Sequence, residues 1–201
     1  SDAQALTFVQ VRAQAMDHCA AEHPGAMYAV LRLPAAKVEE ICQALAQAYP
    51  VNYNCPGQTV VACAVSTAMA LQQAVATQGG KALPLSVSGA FHSPFMDQAS
   101  RTVAEYLENQ TIRPLSIPVY ANATARIYQQ PREQLAWQIN HPVLWQQSIE
   151  KMIADGFDTF VEIGPGRVLS GLVRKINPDV RMLAISDTVS LEQTAKELTG
   201  V

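Results

Sequence analysis

The apolar positions of this chain change period several times. Between residues 2 and 21, Leu6, Val9, Ala13, Met16 and Ala20 recur at helical spacing, and Asp2 stands where an N-cap would. Arg12 lies at the border of that stripe, about 70° from its centre at 100° per residue. There an arginine can lay its stem along an apolar wall and present its head at the edge. His23-Pro24-Gly25 stops the helix. The pattern then predicts a strand over 26–33 and a helix over 34–49, opened by Pro34, with Val38, Ile41, Leu45 and Ala48 on one face. A short strand over 50–54, a Pro56-Gly57 turn and a strand over 58–64 follow. A helix over 66–78, with Ser66 as N-cap, and a strand over 81–87 complete a β-α-β-β-α-β order. That is a split βαβ layout of the ferredoxin-like kind, over about 25–88.

Beyond it, helices are predicted over 95–109, 131–139, 145–155, 168–176 and 191–198, and strands over 117–120, 159–163 and 182–185. The α/β alternation from 117 onward points to a fragment of parallel sheet. A parallel sheet needs several adjacent strands covered on both faces. Three strands leave it underfilled.

Composition narrows the class. Of 201 residues, 49% are hydrophobic and 15% charged, which is the balance of a well-buried globular protein. The net charge of -3 offers no broad electropositive surface, so nucleic acid is not an expected partner. No apolar run reaches the roughly 18 residues of a spanning helix, so no membrane association is expected. The opening SDAQALTF lacks the basic-then-apolar order of a signal peptide. Cys19, Cys42, Cys55 and Cys63 form no C-x-x-C pair, and His18, His23, His92 and His141 include no i, i+4 pair. Reduced cytoplasmic thiols and no metal or other cofactor are the expectation.

Four stretches could carry chemistry. SGAFHSPFM (88–96) sets His92 in a loop of small, apolar and hydroxyl residues just past a strand. Such a histidine is either a hydrogen-bonded loop residue or a general base with room for a substrate beside it. VEIGPGRVL (161–169) is a glycine-rich turn from strand to helix, able either to hold an anion on backbone N–H groups or simply to let helix pack on strand. It matches neither the P-loop nor G-x-G-x-x-G. NYNCPGQ (52–58) makes a turn unaided. In QINHPVLW (138–145), His141 reads as a satisfied loop histidine rather than a second base.

Taken in order, VQVRAQAM, NYNCPGQ, SGAFHSPFM, IPVYANAT, WQINHPVLW and VEIGPGRVLSGL resemble the malonyl-CoA:acyl-carrier-protein transacylases and the acyltransferase domains of polyketide synthases over nearly the whole chain. The resemblance implies an α/β fold. It would be a partial α/β-hydrolase-like parallel-sheet domain with an inserted ferredoxin-like subdomain. Residues 1–24 would be a helix of the large domain, 25–88 the subdomain, and 89–201 the remainder of the large domain. His92 would be the base that activates a serine, and Gln138 would orient it through its backbone carbonyl in place of a triad aspartate. Arg12 would hold the free carboxylate of a malonyl group, which a planar guanidinium suits. Phe91, Ser93 and Met96 would lie by the acyl pocket. Phe91 is what malonyl-selective members commonly have. The implied substrates are malonyl-CoA and the phosphopantetheine thiol of an acyl carrier protein, for fatty acid or polyketide synthesis.

One family element is lacking. None of the serines sits in G-x-S-x-G, the strand-to-helix elbow that bears the nucleophile. The glutamine loop that helps build the oxyanion hole is absent too. The chain is therefore expected to match the C-terminal two thirds of a transacylase, with the nucleophile either on a separate N-terminal piece or on a front segment that this sequence does not include, and little activity of its own. The alternative is a non-catalytic fragment that binds acyl-CoA or carrier protein.

Overall fold

The computed structural model describes residues 2–200. Helix α1 (Asp2–Glu22) opens the chain. It leads into β1 (Gly25–Leu31), α2 (Ala35–Gln43), β2 (Ala48–Cys55), β3 (Gln58–Ala64), α3 (Ala68–Thr77) and β4 (Lys81–Pro84). These four strands form one antiparallel sheet in the order β2-β3-β1-β4. Pro50 sits in β2 and Pro84 in β4, the two edges, where a missing N–H breaks no central ladder.

Period-two alternation gives this sheet two working faces. Tyr28, Val30, Val61 and Cys63 point to one face and join Val38, Ile41, Leu71 and Val75 of α2 and α3 in a core. Met27, Val60 and Ala62 point to the other face and pack on Val51, Ala90, Phe91 and Phe95. Residues 59–64 of β3 are buried throughout. The sheet thus presses on the loop that carries His92.

After that loop, a 3-10 turn (Pro94–Met96) runs into α4 (Asp97–Glu108). A two-residue hairpin, β5 (Tyr120–Ala121) and β6 (Arg126–Ile127), precedes α5 (Pro131–Trp137). Then come α6 (Trp145–Ala154), β7 (Thr159–Ile163), α7 (Val168–Ile176), β8 (Arg181–Ile185) and α8 (Thr188–Thr199). A second core joins Ala15, Met16 and Ala20 of α1 to Met96, Val103 and Ile139.

Several expectations change. The helix predicted over 34–49 ends at Gln43, because Gln47 turns left-handed at φ 54 and Ala48 already starts β2. Leu45 and Ala48 still pack in the same core, so the apolar period runs on through the turn. In α1 the stripe holds only at Met16 and Ala20; Leu6 and Val9 are 72% and 57% exposed. Asp2 lies inside the helix rather than capping it, and Ser66 gives no cap hydrogen bond. The strand over 117–120 shrinks to Tyr120–Ala121, and the parallel pairing beyond it is the β7–β8 pair. One further parallel bridge, Asn52–Val143, ties β2 to the segment before α6.

Candidate active site

His92 occupies a strained position. Its φ is 60, in the left-handed region that a non-glycine residue rarely adopts. The next residue explains what holds it there. Ser93 is buried, donates its hydroxyl to the carbonyl of Ala90 and accepts from the Phe95 N–H at 3.3 Å. Both of its hydrogen-bonding capacities serve the loop. Met96 is fully buried in the core beneath α1 and α4, and Phe91 bridges that core and the sheet.

The small residues around His92 serve close packing more than open space. A Cβ on Gly89 would stand 2.7 Å from the Cβ of Ala20 in α1, and one on Gly25 would stand 2.5 Å from the Cβ of Ala90. The loop is clasped between α1 and β1 because both glycines lack that atom.

The His92 ring, half-buried, donates Nδ1–H to the backbone carbonyl of Gln138 at 3.0 Å. A carbonyl only accepts, so the hydrogen is on Nδ1 and the lone pair on Nε2. Burial pulls the His92 pKa below its ordinary value; the Gln138 carbonyl opposes this, the Arg12 charge adds to it, and the His141 carbonyl opposes it. The net direction is a neutral imidazole, as a base requires. Arg12 is itself half-buried, with its pKa lowered by burial. Among the described residues it makes no ion pair or hydrogen bond. A guanidinium removed from water without a partner is a costly arrangement that an anionic ligand relieves.

His92 and Ser93 line a cavity of about 640 Å³ with Tyr53, Asn140 and His141. Arg12, Gln138, Phe91 and Met96 lie outside its lining. Tyr53 donates to Glu39 at 2.8 Å, and burial, then that bond, pushes the phenol pKa up. Nothing in the sequence signalled this pair, which spans two elements. The glycine-rich turn after β7 resolves differently from its anion-holding option. The Glu162 carboxylate already accepts from Leu169 N–H at 3.1 Å, Ser170 N–H at 2.8 Å and the Ser170 hydroxyl. The chain's own side chain fills the N-terminal end of α7. Among the described residues no group of three or more His, Cys, Asp or Glu could hold a metal ion, and no helix is long and apolar enough to cross a membrane.

Comparison with known proteins gives this geometry a context. A family model described as acyl transferase domain matches residues 1–195. The malonyl CoA-acyl carrier protein transacylase of Bacillus subtilis is 35% identical over 205 residues, covering 96% of this chain and 64% of that protein. That of Staphylococcus aureus is 36% identical, covering 98% and 64%. The solved malonyl CoA-acyl carrier protein transacylase of Clostridium perfringens superposes with a TM-score of 0.92 at 35% identity, over 96% of this chain and 63% of that one. A type II PKS acyl-carrier protein complexed with its malonyl-transacylase, PlMCAT:AntF, gives 0.93 at 33% identity, over 96% and 65%. The chain thus spans about 64% of the length of the curated relatives it matches. It belongs to the acyl transferase domain family, and its likeness to that family's malonyl CoA-acyl carrier protein transacylases runs nearly from end to end.

Proposed function

We propose that this chain contributes the base and the acid-binding arginine of an acyltransferase that moves a malonyl group from coenzyme A to the phosphopantetheine thiol of an acyl carrier protein. The observation that carries the reading is the half-buried guanidinium of Arg12, which makes no ion pair or hydrogen bond among the described residues. A malonyl thioester has one free carboxylate for such a group; an acetyl thioester has none. Phe91 beside the histidine fits malonyl rather than a bulkier methylmalonyl unit.

Among these 201 residues no serine lies in the G-x-S-x-G setting, so in this reading the attacking hydroxyl comes from residues other than these. The residues present do the following. Nε2 of His92 takes the hydroxyl proton as the oxygen bonds to the thioester carbon. It returns that proton to the departing coenzyme A sulfur as the C–S bond breaks. The carrier-protein thiol then attacks the malonyl ester through the same steps in reverse. Throughout, the Gln138 carbonyl holds Nδ1–H and stabilises the transient imidazolium. In this reading residues 25–88 form a ferredoxin-like subdomain on a larger α/β-hydrolase-like body, and the protein works in the cytoplasm for fatty acid or polyketide synthesis.

Intact-mass measurement after incubation with malonyl-CoA tests the division of labour. The chain alone should keep its mass, and a malonyl adduct should form once a nucleophile-bearing segment is supplied. A stoichiometric adduct on the chain alone would defeat the missing-serine element. Tight binding of carrier protein, with no turnover after that segment is supplied, favours a binding fragment instead.

A further inference from the structure

The segment that accepts the His92 Nδ1–H hydrogen bond carries a second imidazole. Asp97 opens α4, five residues after His92. Its Oδ1 accepts from Asn140 Nδ2 at 2.9 Å. A carboxylate only accepts, so this bond fixes which way the Asn140 amide faces. The Asn140 Oδ1 is then turned to His141 Nδ1, 2.8 Å away, and the Trp137 carbonyl stands 2.8 Å from the same nitrogen. Both neighbours are acceptors, so Nδ1 bears the hydrogen and Nε2 the lone pair. The ring is further held against Trp137, centroid to centroid 3.8 Å. Among the described residues nothing bonds to Nε2 of His141.

His141 and His92 line one cavity. Its walls include Leu45, Pro50, Pro94 and Pro142. Glu39, Gln43 and Gln47 add polar groups to the lining. A cavity with apolar walls and an unfilled imidazole acceptor suits a chain that carries N–H donors. A malonyl group has no N–H to offer. The pantetheine arm of the thioester has two secondary amides.

We propose that His141 is a ligand-contacting residue of this cavity, its Nε2 accepting a hydrogen bond from an amide N–H of the pantetheine arm, with Asp97 and Asn140 as the positioning residues that fix its tautomer. This rests on the acyl-thioester reading given above. His141 therefore serves recognition, while His92 remains the base.

Nitrogen-resolved NMR of the imidazoles in the 201-residue chain tests it, with coenzyme A and 3′,5′-ADP as probes. The free chain should show His141 protonated at Nδ1 and bare at Nε2. Coenzyme A should move the His141 Nε2 resonance, and 3′,5′-ADP, which lacks the arm, should not. Asn140→Ala should mix the tautomers and weaken coenzyme A about three- to tenfold, the worth of one hydrogen bond. His141 found protonated at Nε2 in the free chain overturns the proposal. So does coenzyme A that binds and moves His92 but leaves His141 still; in that case the thioester reading stands. If calorimetry detects no coenzyme A binding, the thioester reading fails and takes this inference with it.

Discussion

The His92 ring is anchored through Nδ1 to the backbone carbonyl of Gln138, 46 residues further along the chain, at 3.0 Å. A backbone carbonyl cannot titrate or rotate away, so it fixes the tautomer at every pH where the imidazole is neutral. The remaining nitrogen, Nε2, then carries the lone pair. In a protein supplied with its nucleophile, His92→Ala should lower malonyl transfer about 10²–10⁴-fold with little change in KM. Steady-state assays with malonyl-CoA and carrier protein check this; an equal loss carried by KM would make His92 a binding residue.

Arg12 separates stability from function. It is half-buried and unpaired among the described residues, so its charge is a cost to the fold. Arg12→Met should leave the urea midpoint unchanged or raise stability by up to about 1 kcal/mol. The same variant should lose malonyl transfer. A clear loss of stability would mean that the guanidinium has a structural partner.

The two tight glycines give a steric prediction. Gly25→Ala drives a Cβ toward Ala90 Cβ at 2.5 Å, Ala90 N at 3.0 Å and the Cys63 carbonyl at 3.1 Å. Two of these atoms are backbone and cannot swing aside. The variant should lose about 1–3 kcal/mol, as overpacked sites do, and should shift the His92 ring resonances. Denaturant melts with imidazole spectra would show both effects.

How much of this was legible beforehand varied with distance along the chain. The order of elements from β1 to β4 followed from period changes and Pro-Gly punctuation, and β7 and α7 fell where the pattern put them. The end of α2 did not, because Leu45 and Ala48 pack in one core with the helix and hide the turn at Gln47. Glu162 was unreadable as a cap, since only the fold brings its carboxylate back over α7. The Asp97–Asn140 bond joins residues 43 apart that no local signal couples.

Glu162 yields a pH-dependent prediction. Its pKa is lowered first by the Ser170 hydroxyl, with the Ser170 and Leu169 N–H groups adding to that. A depressed carboxylate contributes stability above its unfolded value and loses it as pH falls through the folded one. Glu162→Ala should cost about 1 kcal/mol near neutral pH, as loss of a helix N-terminal cap does. The gap to the parent should close in acid, read from urea midpoints at several pH values.

The most direct measurement is an NMR pH titration of the His92 ring in the parent chain and in Arg12→Gln. Burial and the Arg12 charge both hold the neutral form, so the ring should titrate below an ordinary histidine, with its Nδ1–H retained. Removing the cation should raise that value, yet leave it depressed by burial. A His92 that titrates at or above the ordinary histidine value, and does not respond to Arg12→Gln, would contradict a site shared by the two.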